Sequence, residues 1–125
     1  MRTRVSLITP IAVVILVLAG CSDPRSAIDA RHVVDTYAQA GIPMSEIRDE
    51  TASKCVDLSI CVQVVTTDQL IVWRFAEKED AAMYAAEIDD AHLSDFIVVE
   101  FVRGELTPTQ RRNAASMVDS MHTSD

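Results

Sequence analysis

In the second half of the chain, apolar and β-branched residues are concentrated in three short runs. The first two runs are CVQVVTT (61–67) and LIVWRFA (70–76), and only Asp68 and Gln69 separate them. Runs this close predict a β-hairpin, although the two-residue connection lacks the glycine that such turns favour. The third run, FIVVEFVR (96–103), ends at Gly104 and predicts a third strand.

Three other segments show helical features. Asp23-Pro24 is a typical helix start and Gly41 a typical end. Residues 77–91 begin with acids, and Thr107-Pro108-Thr109-Gln110 combines a capping box with proline at the first helical position. Residues 43–54 lack periodicity and predict a polar surface loop. The residues expected to face inward are Ala27, Ala30, Val34, Tyr37, Ala38 and Gly41, then Ala81, Tyr84, Ala85 and Ile88, then Ala114, Met117, Val118 and Met121.

These elements follow one another as α-β-β-α-β-α, which predicts a small α+β fold. If the third strand lies beside the first, the three-stranded sheet is antiparallel with the order 2-1-3 and packs against the helices. That arrangement resembles half of a ferredoxin-like split motif. The strand–helix–strand crossover is expected to be right-handed.

The amino terminus has the pattern of a secretory signal peptide. Arg2 and Arg4 precede an apolar block from Val5 to Leu18, and the small residues Ala19 and Gly20 follow it. The block is shorter than the ~20 residues that a helix needs to cross a bilayer. A cleaved leader is therefore favoured over a permanent membrane span.

Leu18-Ala19-Gly20-Cys21 resembles the lipobox of bacterial lipoproteins. The resemblance implies a diacylglyceryl group on the Cys21 thiol, cleavage before Cys21, and an acyl chain such as palmitate on the new amino group. Two or three acyl chains anchor a protein stably in a membrane, whereas a single acyl chain does not. We therefore expect residues 1–20 to be a lipoprotein signal peptide and residues 21–125 to be a single extracytoplasmic domain on the cell membrane. The alternative is an ordinary signal peptide, or an uncleaved anchor, that happens to contain a cysteine.

Charge narrows the range of partners. Loss of Arg2 and Arg4 with the leader would change the formal net charge from −8 to −10. An acidic domain of this size is a poor candidate for binding nucleic acid, which rewards clusters of Lys and Arg. Anionic lipid headgroups would also repel it.

Two cysteines remain if Cys21 is lipidated. Cys55 and Cys61 form an even pair in an exported and oxidising compartment, which predicts a structural disulfide. A redox-active pair is the alternative, but C-x5-C is not C-x-x-C. Zinc would need two further ligands at workable spacing, and none is nearby. We expect no metal site.

The sequence contains no motif of catalysis or of cofactor binding that we recognise. Ser45, Ser59, Ser94 and Ser116 lack a G-x-S-x-G setting, and His32, His92 and His122 form no ligand pair. Asp89-Asp90-Ala91-His92, with Asp95, is the densest ligand-like cluster, but a solvated helix end explains it better than a cation site. Glu100 interrupts an apolar strand and is expected to face solvent. We expect no enzymatic activity and no cofactor.

The second predicted strand is apolar on both faces. Trp73 and Phe75 are expected in the core with Ile71. The opposite face carries Leu70, Val72 and Arg74, which indicates either cover on both sides or an exposed patch. A large exposed apolar patch usually marks a partner site. These three residues are therefore a candidate partner face.

The order of several short motifs also resembles a group of small secreted or membrane-anchored actinobacterial proteins, many of them lipoproteins. The motifs are AGIP, C-x5-C, TTD, VWRF, an Ala/Tyr-rich helix and IVVEF, within about residues 37–102. The resemblance implies an architecture and a disulfide, and it carries no catalytic residue.

Three hypotheses of function remain. The leading one is a lipid-anchored binding or accessory module for another envelope protein. The second is a ligand-binding or hydrolytic lipoprotein with an unrecognised site, which would need a pocket holding a group such as Glu100, or Asp95 with His92. The third is a prophage-type lipoprotein that blocks infection by related phage, and it rests on size and location alone.

Overall fold

The computed structural model describes residues 28–123, in which four helices and five strands follow one another along the chain. The helices are α1 (Ala30–Gln39), α2 (Thr51–Asp57), α3 (Lys78–Glu87) and α4 (Pro108–Thr123). The strands are β1 (Arg48–Asp49), β2 (Cys61–Thr66), β3 (Leu70–Phe75), β4 (Ala91–Ser94) and β5 (Ile97–Phe101). The α+β class expected from the sequence is confirmed.

The strands form an open antiparallel sheet in the order β1-β2-β3-β5-β4. The expected three-stranded sheet with its last strand beside the first is wrong, because β5 pairs with β3 and places Trp73 opposite Val98. The sequence did not predict β4. This strand follows α3 and runs in the same direction as β3. A turn at Asp95-Phe96 then returns the chain between β3 and β4. Asp95 has φ 51°, a left-handed conformation that aspartate tolerates.

Helices cover both faces of this sheet. On one face, α1 and α4 pack over Leu70 and Val72 of β3 and over the inward residues of β5. On the other face, α3 and the segment around α2 pack over Trp73 and Phe75. The two apolar faces of β3 are therefore explained by cover on both sides.

The burial of β3 corrects the prediction of a partner face there. Leu70 and Val72 have no exposed surface, and Arg74 is half-buried at the end of the same strand. Leu70 and Val72 are therefore not accessible to a partner while the domain is folded. Trp73 and Phe75 are buried as expected, at 7% and 1% exposure.

Helix α1 is shorter than the sequence indicated. The predicted start at Asp23-Pro24 lies outside the described residues, but the backbone of Asp29 is extended, with φ −83° and ψ 135°. A helix therefore does not run through Asp29. Its carboxylate instead caps α1 by accepting a hydrogen bond of 2.8 Å from the Arg31 backbone N–H. Gly41, with φ 85°, follows the end of α1, as predicted.

The capping box predicted for α4 is confirmed. Thr107 Oγ1 accepts a hydrogen bond from the Gln110 backbone N–H at 3.1 Å, and Gln110 Oε1 accepts one from the Thr107 N–H at 2.9 Å. Ala114 and Val118 are fully buried on the inner side of this helix. The Tyr37 hydroxyl donates a buried hydrogen bond of 2.8 Å to the Ala114 carbonyl oxygen, which links α1 to α4.

The expected surface loop at 43–54 contains β1 and the start of α2. Arg48 of β1 lies opposite Thr66 of β2. The Thr51 hydroxyl at the start of α2 accepts a hydrogen bond of 3.0 Å from the Val64 N–H. None of the residues of α2 is buried. β1 and α2 are thus positioned by hydrogen bonds to β2. Such bonds do not require a periodic pattern of apolar residues, so the sequence did not indicate these two elements.

The Cys55–Cys61 disulfide predicted from the sequence is present. It joins α2 to β2 with the two Cα atoms 5.1 Å apart, within the usual range for such bridges. Cys61 is buried beside Trp73 and Phe75, and Cys55 packs against the same cluster. The bridge therefore fastens a helix that has no buried residue of its own to the core.

Replacing both Cys55 and Cys61 with serine is expected to lower the free energy of unfolding by about 2 kcal/mol, because the bridge closes a short loop. Urea unfolding of the two proteins measures this difference. Ser59→Ala is the matched control, since Ser59 is exposed in the same loop and its replacement should change stability by less than about 0.5 kcal/mol. Equal stability with and without the bridge would show that other contacts hold α2.

Candidate functional site

A cleft of ≈ 520 Å³ lies where the loop before β4, the end of β5 and the first turns of α4 meet. Ile88, Phe101 and Val102 supply its apolar lining. Its charged lining residues are Asp89, Asp90, Glu100, Arg103 and Arg111. We call it the Arg111 cleft. Its volume is within the range of small-molecule sites, about 300–1,000 Å³.

Arg111 is held in a fixed orientation in this cleft. Its Nη1 donates a hydrogen bond of 2.6 Å to Asp90 Oδ2, and its Cζ lies 5.9 Å from the centre of the Phe101 ring. The Asp90 carbonyl oxygen also accepts a hydrogen bond of 2.9 Å from the Phe101 N–H. Asp90 in the loop before β4 therefore contacts both β5 and α4.

The hydrogen bond to Asp90 uses one of the five N–H donors of Arg111. Within residues 28–123, its Nε is buried and has no hydrogen-bond partner. Leaving a buried N–H unpaired costs about 1–3 kcal/mol, so such a group calls for an acceptor.

Glu100 lies half-buried on the face of β5 that α3 covers, which corrects the expectation that it faces solvent. Its Oε1 accepts a hydrogen bond of 3.2 Å from the Tyr84 hydroxyl of α3. Burial and, next, the negative charge of Glu100 raise the pKa of Tyr84 well above its ordinary value. Tyr84 therefore keeps its proton at neutral pH and positions the Glu100 carboxylate.

Tyr84 also connects the cleft to the aromatic core. Its ring centre lies 4.9 Å from that of Trp73 and 5.4 Å from that of Phe75, with tilted planes. Tilted aromatic pairs at this separation contribute about 0.5–1.5 kcal/mol beyond their buried area. The position of Glu100 thus depends on packing in the core.

A second polar cluster joins β4 to α4. Ser94 Oγ donates a hydrogen bond of 2.7 Å to Asp119 Oδ1, and His92 Nε2 lies 2.9 Å from the same oxygen. These are the residue types of a hydrolase triad, in which the imidazole takes the serine proton. Here the carboxylate accepts from the serine directly. The contacts therefore fasten the edge strand to the helix and do not activate Ser94.

The acidic cluster after α3 is divided among separate partners. Asp90 pairs with Arg111, Asp95 lies 3.9 Å from Lys78 Nζ, and His92 contacts Asp119. No group of three or more His, Cys, Asp or Glu residues between 28 and 123 is arranged to hold a metal ion. Asp90, His92 and Asp95 are close together in the sequence, but in the structure their side chains contact three different residues.

Arg111 and Asp119 are the functional candidates that the sequence did not indicate. Arg111 lies 21 residues after Asp90, and Asp119 lies 25 residues after Ser94. Arg111 is half-buried near the start of α4, and Asp119 is exposed farther along the same helix. No local spacing connects them to β4, so only the folded chain shows the pairing.

The predicted lipidation site, Cys21, and the predicted signal peptide lie outside the residues that the structure describes. Within the described part, none of the helices combines the length and the apolar character needed to span a bilayer.

Comparison of the chain with protein-family models, with curated proteins and with solved structures finds no match in any of the three.

Proposed function

We propose that this protein is a membrane-anchored extracytoplasmic lipoprotein that acts as a small binding or accessory module for another protein of the cell envelope. The observation that carries the proposal is the position of α1, which begins nine residues after Cys21 of the lipobox-like segment. Nine residues of chain span at most about 30 Å. A domain anchored at Cys21 therefore reaches partners that lie close to the membrane.

Two further features support this location and role. The Cys55–Cys61 bridge suits an oxidising compartment outside the cytoplasm. The negative charge of the chain, −8 before removal of a leader, opposes binding of the domain to anionic headgroups. A lipid anchor on an acidic domain leaves the protein surface free for a partner.

Three exposed apolar side chains are the proposed contact points. Val56 is 75% exposed and Val62 44%, and each directly follows a cysteine of the bridge. Leu93 is 41% exposed on β4, which lies at one end of the sheet formed by residues 28–123 and so presents an open edge there. Open edges and apolar side chains are the features by which many domains bind another chain.

The anchor is tested by mass spectrometry of the protein extracted from membranes of its own host. The expected product begins at Cys21 and carries the mass of a diacylglyceryl group. Cys21→Ser is expected to prevent cleavage and lipidation. An unmodified chain that keeps residues 1–20 in the membrane fraction would contradict the proposal.

The partner is tested by placing a photo-crosslinking amino acid at Val56 or at Leu93 in the anchored protein. One discrete adduct with an envelope protein is expected, and its loss when Cys21→Ser is added. Arg31 is the control position, because it is exposed on α1 and ion-paired to Asp35. Adducts of equal yield at all three positions, or at none, would argue against a docking role.

A further inference from the structure

We propose that the Arg111 cleft binds a small zwitterion with a carboxylate and an ammonium group, such as an amino acid or a short peptide. This activity is separate from docking to an envelope protein. It is inferred from a partly exposed guanidinium of which Asp90 engages only Nη1, a half-buried carboxylate, and a lining that combines apolar residues with charges of both signs.

The guanidinium of Arg111 is suited to the carboxylate of the ligand. Asp90 engages Nη1, and Nη2 carries two further N–H donors that can hydrogen-bond to the oxygens of a carboxylate. About a third of the Arg111 side chain is exposed, which gives a ligand access to the outer end of the guanidinium. The Nε–H is buried, so the ligand carboxylate would bind at Nη2.

The remaining charges select against a simple anion. Three carboxylates and two guanidiniums line the cleft, and one carboxylate, Asp90, is already paired with Arg111. Asp89 and Glu100 would repel a dianion such as phosphate and attract an ammonium group. Glu100 is the better ammonium site, because Tyr84 fixes one of its oxygens and burial strengthens its interactions.

The apolar lining limits the rest of the ligand. Ile88 and Val102 line the cleft together with the charged residues, and Phe101 lies beneath the guanidinium. Small aliphatic side chains fit such a surface.

The test is isothermal titration calorimetry of the full chain in detergent with three probes. The probes are alanyl-alanine, its N-acetyl form, which keeps only the negative charge, and its C-terminal amide, which keeps only the positive charge. Alanyl-alanine is expected to bind about ten-fold or more tightly than either blocked form, since each blocked form loses one charge-assisted contact. No heat from alanyl-alanine at millimolar concentration would overturn the proposal, as would equal affinity for all three probes.

Variants then assign the two ends of the ligand. Arg111→Gln is expected to weaken binding of alanyl-alanine and of the N-acetyl form about ten-fold, and Glu100→Gln to do the same for alanyl-alanine and the amide. Arg31→Gln and Glu77→Gln are matched controls on exposed residues outside the cleft lining. Thermal unfolding by circular dichroism verifies that each variant is folded. Equal losses in variants and controls would overturn the assignment, and Asp89→Asn provides a second cleft variant if Arg111→Gln does not fold.

Discussion

Replacing Leu70 with alanine is expected to lower the free energy of unfolding by about 3 kcal/mol. Leu70 has no exposed surface and lies on β3 in the core cluster that α1 and α4 cover, so the change removes buried apolar contacts and leaves a cavity. Domains of this size have a total stability of about 5–15 kcal/mol. Chemical denaturation monitored through Trp73, the single tryptophan of the chain, measures the effect.

Leu93→Ala is the matched control, because Leu93 is 41% exposed on the edge strand. Its replacement should cost less than about 1 kcal/mol. The pair of variants separates a core residue from a surface residue of the same type. A loss below about 1 kcal/mol for Leu70→Ala would contradict the burial of Leu70 and would support the exposed patch considered in the sequence analysis.

Raising the pH above about 10 is expected to destabilise the protein steeply. Burial, followed by the negative charge of Asp119, raises the pKa of Tyr37 above its ordinary value of 10.0. The folded state thus holds this proton more tightly than the unfolded state does. The stabilisation is complete below about pH 10 and is lost as the pH rises toward the folded-state pKa, at about 1.4 kcal/mol per pH unit. By pH 11.5 the loss is about 2 kcal/mol.

Tyr37→Phe separates this effect from general alkaline damage. At pH 7 the variant should be less stable by about 1 kcal/mol, because the Ala114 carbonyl oxygen loses the Tyr37 hydroxyl. Above pH 10 its stability should fall less steeply than that of the native protein, so that the two curves converge and cross at about pH 11. Tyr84 adds a smaller loss in both proteins, since it is partly exposed and screened by solvent. Parallel curves from pH 9 to pH 12 would show that Tyr37 ionises freely.

The sequence was sufficient to predict structural features that are determined by a few neighbouring residues. The capping box at Thr107 depends on residues three apart, and the β2–β3 hairpin depends on two adjacent apolar runs. Gly41 ends α1 because its backbone takes a positive φ, which glycine adopts readily. Local chemistry is sufficient in each of these cases.

Features that depend on distant partners were not predictable. β4 contains one strongly apolar residue, Leu93, and it exists because β5 pairs with it. The face of β3 that carries Leu70 and Val72 gave a pattern that fits either an open patch or a helix cover. Only the packing of α1 and α4 decides between the two. Arg111 reaches Asp90 across 21 residues, so the cleft has no continuous motif.

The place of β5 in the sheet has a consequence for the order in which the fold assembles. β5 comes last among the strands of the described chain, yet it lies between β3 and β4. β3 and β4 do not pair with each other. Each of them can pair on its β5 side only after β5, which begins at residue 97, has taken its place in the sheet. Contacts between distant parts of a chain are slow to form. A chain that ends at residue 95 would lose more than one strand, because β3 would have an open edge and β4 would have nothing to pair with.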